Sequence, residues 1–494
     1  MPRIIHILTV MILSVGLAAL VAGQDISGPA GQADESAKAG WSESAREFIT
    51  ARAGSDTVLS LRDCVELAWE NNDRLQAERS RRLELAGLRN QALSTGLPSL
   101  DLVGEWSRGR DPTFALDESF GGGDLPEDFP FEGLLPSPSA IPAQTFWRAS
   151  ADLVWTLNPL QVAGAVGAAN LGIDRQELIV EATRNEVTES TINAYYRVIL
   201  TNEVVLAREA EVTNQLEFLE ISKLRYELGM ATIQDTLQAA VSVANLLPQL
   251  RRARQEVANA GSRLNAVMGK DPEAALTITR EIPIEMDPID ADGALAMALQ
   301  RPDVEQLQLY ANILDRNRQA QKAEMRPYLS MFGSFGYVGR TTDTMFDPGH
   351  DAWRASVALN IPLFDGMLTR GLVQQTEANI KVTENELSGL KRQVEVEVLD
   401  LLNSLDTARE NYEAARLNLV RSEDLVEQMT MMYRVGKADY LSTLVAESNR
   451  SSARENLLQA AYEVLTLTAS LKRAIGQSPL QPLTAIQGLV QGEN

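Results

Sequence analysis

The chain is two copies of one unit, and any fold it adopts has to honour that duplication. Trp147-Arg148-Ala149-Ser150 recurs as Trp353-Arg354-Ala355-Ser356. Tyr226, Gly229, Ala231, Thr236, Leu237, Ala239, Leu264 and Gly269 recur, at one constant offset, as Tyr433, Gly436, Ala438, Thr443, Leu444, Ala446, Leu471 and Gly476. Pro98, Leu100 and Gly104 recur as Pro327, Leu329 and Gly333. The first copy carries an insertion between Pro98 and Trp147, which falls in the Gly/Pro-rich stretch Gly121–Pro142 and reads as a loop.

Each unit reads helix, strand, loop, strand, long helix, tight turn, helix. The long helix is clearest in the second copy. There Leu387, Leu390, Val394, Val398, Leu401, Leu405, Ala408, Tyr412, Ala415 and Leu419 follow spacings of three and four. Such a period, sustained this far, is that of coiled-coil packing. No proline interrupts the stretch from Gly366 to Arg434, and a helix of that length spans roughly 100 Å. Gly436 breaks it, and a returning helix is expected from about Asp439 to Ile475. The first copy matches except at Pro248, where a helix kink costing about 3 kcal/mol is expected.

The strands alternate. Trp147, Ala149, Ala151, Leu153, Trp155 and Leu157 stand on one face, with Arg148, Ser150, Asp152 and Thr156 on the other. The other three strands do the same. Leu100, Leu102 and Trp106 oppose Asp101 and Glu105, and Leu329, Met331, Phe335 and Tyr337 oppose Ser330 and Ser334. Trp353, Ala355, Val357, Leu359 and Ile361 oppose Arg354, Ser356 and Asn360. Strands near ten residues with one apolar face suit a transmembrane barrel. One chain offers only four, and an open four-stranded sheet cannot sit in lipid with bare edges. Two chains would give eight strands and a filled interior, three would give twelve and room for a pore. The fold class expected is therefore α+β and membrane-associated: long coiled-coil helices plus four amphipathic strands per chain contributed to a shared barrel.

Composition narrows the function. Arg3 followed by an apolar run to Ala22, with small residues up to Gly23, is laid out as a secretory signal peptide. Acidic residues outnumber basic ones by 67 to 45, which argues against nucleic acid as a partner. Cys64, the only cysteine, allows no internal disulfide; with Leu61, Val65 and Ala68 around it, a packing role is expected. His6 leaves with the signal, so His350, in an Asp/Gly/Pro loop, is the one mature histidine. Zinc cages and histidine-based triads lack material, and Gly121-Gly122-Gly123 neither follows a strand nor opens a helix as a phosphate cradle does. No catalytic residue, metal site or cofactor is expected. Of Met429, Met431 and Met432, two of the three are expected to pack against neighbouring helices rather than to serve as soft-metal ligands.

With this layout in hand, residues 57–477 resemble the TolC family of outer-membrane efflux proteins. The resemblance rests on Tyr433-Arg434-Val435-Gly436-Lys437-Ala438-Asp439-Tyr440-Leu441, on the matching Tyr226-Glu227-Leu228-Gly229, and on Asn71-Asn72-Asp73-Arg74-Leu75 and Arg301-Pro302-Asp303-Val304. It implies a homotrimer with a twelve-stranded barrel in outer-membrane lipid and a helical tunnel through the periplasm. It also implies docking of the helical tips onto a periplasmic adaptor (a membrane fusion protein) and an inner-membrane transporter. The alternative is a periplasmic coiled-coil adaptor or structural protein without a pore, which has no use for the amphipathic strands. The organisation expected is a signal peptide (1–23), a flexible polar segment (24–57), a first repeat (58–269), a linker (270–287), a second repeat (288–476) and a tail (477–494). Lipid-facing candidates are Leu100, Leu102, Trp106, Trp147, Leu153, Trp155, Leu329, Met331, Phe335, Trp353, Val357 and Leu359. Tyr226, Gly229, Tyr433 and Gly436 mark the tips, and Asp235 and Asp439 are candidates for a carboxylate gate beside them. The family's acidic position after the second turn is Ser442 here.

Both strand-connecting loops, 110–145 and 339–352, fall on one side of the sheet, which the resemblance places outside the cell. A peptide tag inserted at Gly122 should be labelled on intact cells by an impermeant reagent. Labelling only after lysis would reverse the orientation.

Overall fold

The computed structural model of the chain describes residues 48–52, 58–109, 143–280, 282–284 and 290–480. The signal peptide, most of the polar segment after it, the Gly121–Pro142 insertion with the tag site, and the tail beyond residue 480 lie outside the described residues.

The first half runs β1 (Phe48–Arg52), β2 (Val58–Leu59), α1 (Leu61–Asn71), α2 (Asp73–Ser94), β3 (Ser99–Gly109), β4 (Gln144–Leu157), α3 (Pro159–Glu227) and α4 (Ile233–Val267). After β5 (Leu276–Thr279) the pattern returns as α5 (Ala291–Ala298), α6 (Pro302–Ala323), β6 (Tyr328–Gly339), β7 (Asp351–Asn360), α7 (Leu368–Arg434) and α8 (Tyr440–Ala474). The long helices α3 and α7 hold 69 and 67 residues, and each returns through a tight turn into a 35-residue partner. Helix α4 runs on through Pro248 without a break in its span.

Three details depart from the sequence reading. The single opening helix of each unit is two helices. Asn72 leaves the helical region (φ −65°, ψ 120°), and its side chain accepts from the Arg74 and Leu75 N–H groups to start α2. In the second unit Arg301 is extended and Pro302 opens α6, where its missing N–H costs nothing. The polar segment up to residue 57 is not without structure: β1 pairs antiparallel with β5, which also takes β2 in parallel. That β5 falls inside the expected linker 270–287. Its Leu276 and Ile278 are buried, but an alternation of four residues is too short to stand out from a loop.

The helix ends are built alike. Gly229, Gly269, Gly436 and Gly476 all hold positive φ. In each case the next N–H donates five residues back: Met230 to Arg225, Lys270 to Asn265, Lys437 to Met432 and Gln477 to Lys472. This is the Schellman ending, which satisfies carbonyls the helix leaves open. Gly269 has a second reason to be glycine, since a Cβ there would stand 2.3 Å from the Asn71 carbonyl oxygen. The end of each hairpin is thereby seated on the α1/α2 or α5/α6 break of its own unit, Gly476 against Arg301.

Two apolar cores hold this end of the hairpins. One packs Cys64 and Ala68 of α1 against Tyr195, Tyr196 and Ile199 of α3, Leu264 of α4, and Leu276 and Ile278 of β5. The other packs Ala294 and Ala298 of α5 against Val394, Val398 and Leu405 of α7 and Val464 and Leu471 of α8. Burial pushes the Cys64 thiol up to about 12, so it is a small apolar group here and no reagent. An ion network ties four helices together: Arg301 reaches Asp303 and Glu397, and Arg473 reaches Glu397 and Glu189. Burial alone would raise the Glu397 pKa, but Arg301 and Arg473 outweigh it and hold the carboxyl below its ordinary value.

Gly229 and Gly269 share φ near +70° but differ in surroundings, because nothing lies within 4 Å of a Cβ at Gly229. Gly229→Ala should cost only the left-handed penalty, about 1–2 kcal/mol. Gly269→Ala should cost several kcal/mol more, through displacement of the α1/α2 break, and should lower the melting temperature well below that of Gly229→Ala. Equal effects on thermal unfolding in detergent would refute the packing role.

Candidate conduit: a two-faced strand sector and paired helical tips

The four long strands form one antiparallel sheet in the order β3-β4-β6-β7. Its register places like with like. Leu102 pairs with Ala151, Ala151 with Phe335 and Phe335 with Trp353; Trp155 pairs with Met331, and Met331 with Val357. Leu100 lies opposite Leu153, Trp106 opposite Trp147, and Leu329 opposite Leu359. Because side chains alternate, this matched register puts all twelve candidate lipid-facing residues on one face. In the single chain Leu100, Leu102, Trp106, Phe335, Trp353, Val357 and Leu359 are exposed. Leu153 is only just exposed, while Trp147, Trp155, Leu329 and Met331 are half-buried. An exposed apolar surface of this extent, in a sheet with no second layer among the described residues, is built to meet lipid or another chain.

The opposite face is polar and carries paired charge. An Arg148 guanidinium nitrogen donates to both Asp152 oxygens at 3.1–3.2 Å and to Ser334 Oγ at 3.3 Å, and Ser334 Oγ donates to Asp152 at 2.6 Å. Asn360 donates to Ser330 Oγ on the same face. Asp101, Glu105 and Arg354 complete its charges. Among the described residues no helix is both long and apolar enough to cross a membrane.

Below the sheet, α3 packs on α2 and α6 near the strands and on α4 and α8 further on, while α7 packs on α6 and α8. The helices therefore line up in the same order as the strands. β3, α2 and α4 lie along one border, and β7 and α7 lie along the other.

At the far end the two tips differ. Tyr433 is buried, its ring packed 5.8 Å from Phe218 and 6.4 Å from Tyr440. Arg225 stacks over it with its guanidinium carbon 4.6 Å from the ring centre, and also donates to the Tyr433 carbonyl at 3.0 Å. Tyr226, its repeat counterpart, is exposed, together with Leu224, Leu228 and Met230. Arg225 carries no motif and was not singled out from sequence; its only signal was a cation one residue before the repeated tyrosine. Met431 and Met432 are exposed in the single chain rather than packed.

The structure gives Asp235 and Asp439 a local task. Asp235 sits in a capping box, accepting from the Thr232 N–H and hydroxyl. Asp439 is the N-cap of α8 and accepts from Ser442 N–H at 2.9 Å. That bonding to Ser442 holds the Asp439 carboxyl below its ordinary pKa. His350 lies in the turn between β6 and β7, with its carbonyl accepting from Val338 N–H, and the described residues hold no cluster suited to a metal ion.

A strand sector with one apolar and one polar face, continued by two long helical hairpins, defines the class: a protomer of a membrane barrel with an attached helical tunnel. Comparison with known proteins agrees. Residues 295–477 match the family described as "Outer membrane efflux protein". The outer membrane efflux protein BepC of Brucella suis is 21% identical over 64% of this chain and 69% of its own length. TolC of Escherichia coli is 22% identical over 63% of this chain, in a match spanning 65% of TolC. Among solved structures, the CmeC outer membrane channel of Campylobacter jejuni has the same fold, with a TM-score of 0.72 at 16% identity, covering 87% of this chain and 88% of CmeC. VceC of Vibrio cholerae gives 0.69 at 19% identity, covering 85% and 96%. The second half of the chain thus matches the outer-membrane efflux family, and most of the described chain shares its fold with solved outer-membrane channels.

Arg225 and Tyr433 tie the two hairpins of one chain, whereas Tyr226 touches neither ring of that cluster. Arg225→Ala or Tyr433→Ala should speed amide exchange across the second tip, residues 430–440, by tenfold or more. That corresponds to losing roughly 1–2 kcal/mol of cation–π and hydrogen-bond stabilisation. Unchanged exchange in both variants would remove the contact from the account.

Proposed function

We infer that the chain is one protomer of an outer-membrane exit duct, a passive conduit that serves an inner-membrane transporter through a periplasmic adaptor. The observation that carries this is the four-stranded sheet, apolar on one face, polar on the other and, among the described residues, unpaired at both edges. A sheet edge in hydrocarbon leaves N–H and C=O groups unsatisfied at several kcal/mol each. The two edges are different strands, β3 and β7, so copies join head to tail and must close into a ring. Two copies give an eight-stranded barrel filled by its own side chains; three give twelve strands with a water-filled lumen. The polar face then lines the lumen, and the long helices, far longer than a bilayer is thick, extend the passage away from it. A periplasmic adaptor without a pore would have no use for the apolar face.

The tips at Gly229 and Gly436 are the end remote from the barrel and the surface for the adaptor, where Tyr226, Leu228, Met431 and Val435 stand exposed. A duct that never closed would leak the periplasm, so the constriction belongs at this end. Asp235 and Asp439 are its candidate carboxylates; one of each per chain would make rings of three that attract cations.

The mass of the purified protein in detergent should be three times that of the mature chain, and a stable monomer would end this reading. Asp235→Asn and Asp439→Asn keep a capping oxygen and remove the charge. At least one should change single-channel conductance or divalent-cation block. If neither does, the gate lies elsewhere and the duct stands.

A further inference from the structure

The internal repeat predicts how one copy meets the next. Within the chain, the first unit joins the second by pairing β4 with β6, Arg148 opposite Val338 and Asp152 opposite Ser334. The repeat carries β4 onto β7 (Trp147 onto Trp353) and β6 onto β3 (Gly333 onto Gly104). These are the two edges of the sheet that no described strand pairs. We propose that copies of the chain join by repeating the β4–β6 register between them, so that Arg354 of β7 stands opposite Gly109, and Ala358 opposite Glu105, of the next copy's β3. This rests on the ring reading above and adds its register and its contacts.

Charge supports that register. Inside the chain Arg148 is answered by Asp152 on its own strand and by Ser334 across on β6. In the second unit the position of Asp152 is Ala358, so Arg354 loses its same-strand carboxylate. The position of Ser334 is Glu105, so the missing carboxylate reappears across the seam. Arg354 and Glu105 are both exposed, and neither has a hydrogen-bond or ion-pair partner among the described residues. The register also sets Val357 opposite Trp106 and places Leu359 and Ile361 along Gly104 and Leu102. Apolar thus meets apolar on the outer face, and a one-residue slip would invert that match.

The helical tips give the same answer independently. Phe218 of α3, Tyr433 of α7 and Tyr440 of α8 form the buried cluster between the two hairpins of one chain. The repeat turns that cluster into Leu425 of one copy against Tyr226 and Ile233 of the next. In the isolated chain these three are 37%, 45% and 52% exposed. They lie on α7 at one border and on the α3–α4 tip at the other, as a shared contact requires.

Cysteine pairs read the register directly, because opposed residues in antiparallel strands have Cβ atoms about 4.5–5.5 Å apart, close to disulfide range. In a Cys64→Ser background, Ser107→Cys with Ser356→Cys should give cross-linked trimers on mild oxidation. Glu105→Cys with Ser356→Cys, two residues out of register, should cross-link at least tenfold less. In the uncross-linked protein, Arg354→Gln and Glu105→Gln should each lower the temperature at which the trimer dissociates, and the double variant should fall no further than either single one. An intact trimer that cross-links at the out-of-register pair overturns the register and leaves the duct standing. Additive losses in the double variant overturn the ion pair. A protein that is monomeric in detergent before any substitution overturns the ring itself, and this proposal with it.

Discussion

Everything above the helices depends on one constraint: a backbone amide or carbonyl facing hydrocarbon must find a partner. The four strands satisfy each other across three seams and leave two edges open. In water those edges would be tolerable and would need blunting against aggregation; in lipid they cannot persist. Ring closure is therefore required for this sheet to exist where its apolar face belongs. The border helices follow from the same requirement. Because α2, α4 and α7 hang beneath the edge strands, whatever closes the sheet also sets the helices of neighbouring copies side by side.

Duplication makes closure cheap in design terms, since one unit-to-unit contact can serve twice, within the chain and between chains. The two versions have diverged where their surroundings differ. The intrachain seam uses a same-strand pair, Arg148 with Asp152, and an aromatic cluster, Phe218 with Tyr433 and Tyr440. At the corresponding positions the seam between copies has Arg354, Ala358 and Leu425 from the second unit of one copy, and Tyr226 and Ile233 from the first unit of the next. The intrachain contact is formed once, on folding, and can be tight. A contact between copies must form by encounter and is lined here by smaller or more exposed groups.

The sequence made much of this legible because the signals were long. Seventy-residue stripes with period near 3.5 and ten-residue alternations repeat two and four times over, and repetition separates pattern from chance. What it concealed was short or non-local. β5 is four residues long and is a strand only because β1 and β2 lie beside it. The break at Asn72 is a single extended residue, and Gly269 gains its second reason to be glycine only because the chain returns to that break almost two hundred positions later. Arg225 acquires its role from Tyr433, on another hairpin. The gate candidates show the converse. Asp235 and Asp439 were visible as acidic residues after a turn, but that is also the signature of an N-cap, and the hydrogen bonds show both serving as caps.

The stabilising contacts are unevenly spread along the hairpins, and that distribution bears on how a duct of this kind can open. At the α1/α2 and α5/α6 breaks, about midway along α3 and α7, two apolar cores and the Arg301–Glu397–Arg473–Glu189 network hold α3, α7 and α8 from several sides. Toward the tips the buried apolar clusters shrink to four residues each, Val205, Val212, Leu250 and Val257, then Phe218, Ala239, Tyr433 and Tyr440. Local opening free energy follows the density of such contacts. The tips are thus the part of each hairpin that can separate at least cost while the barrel end stays assembled. A partner that binds the exposed faces of separated tips more tightly than those of closed ones shifts the balance by that difference in affinity alone. With an aromatic cluster, Arg225 and the Gln215–Tyr440 hydrogen bond resisting at the tip, a differential of a few kcal/mol is sufficient, which a docking surface of ordinary size can supply.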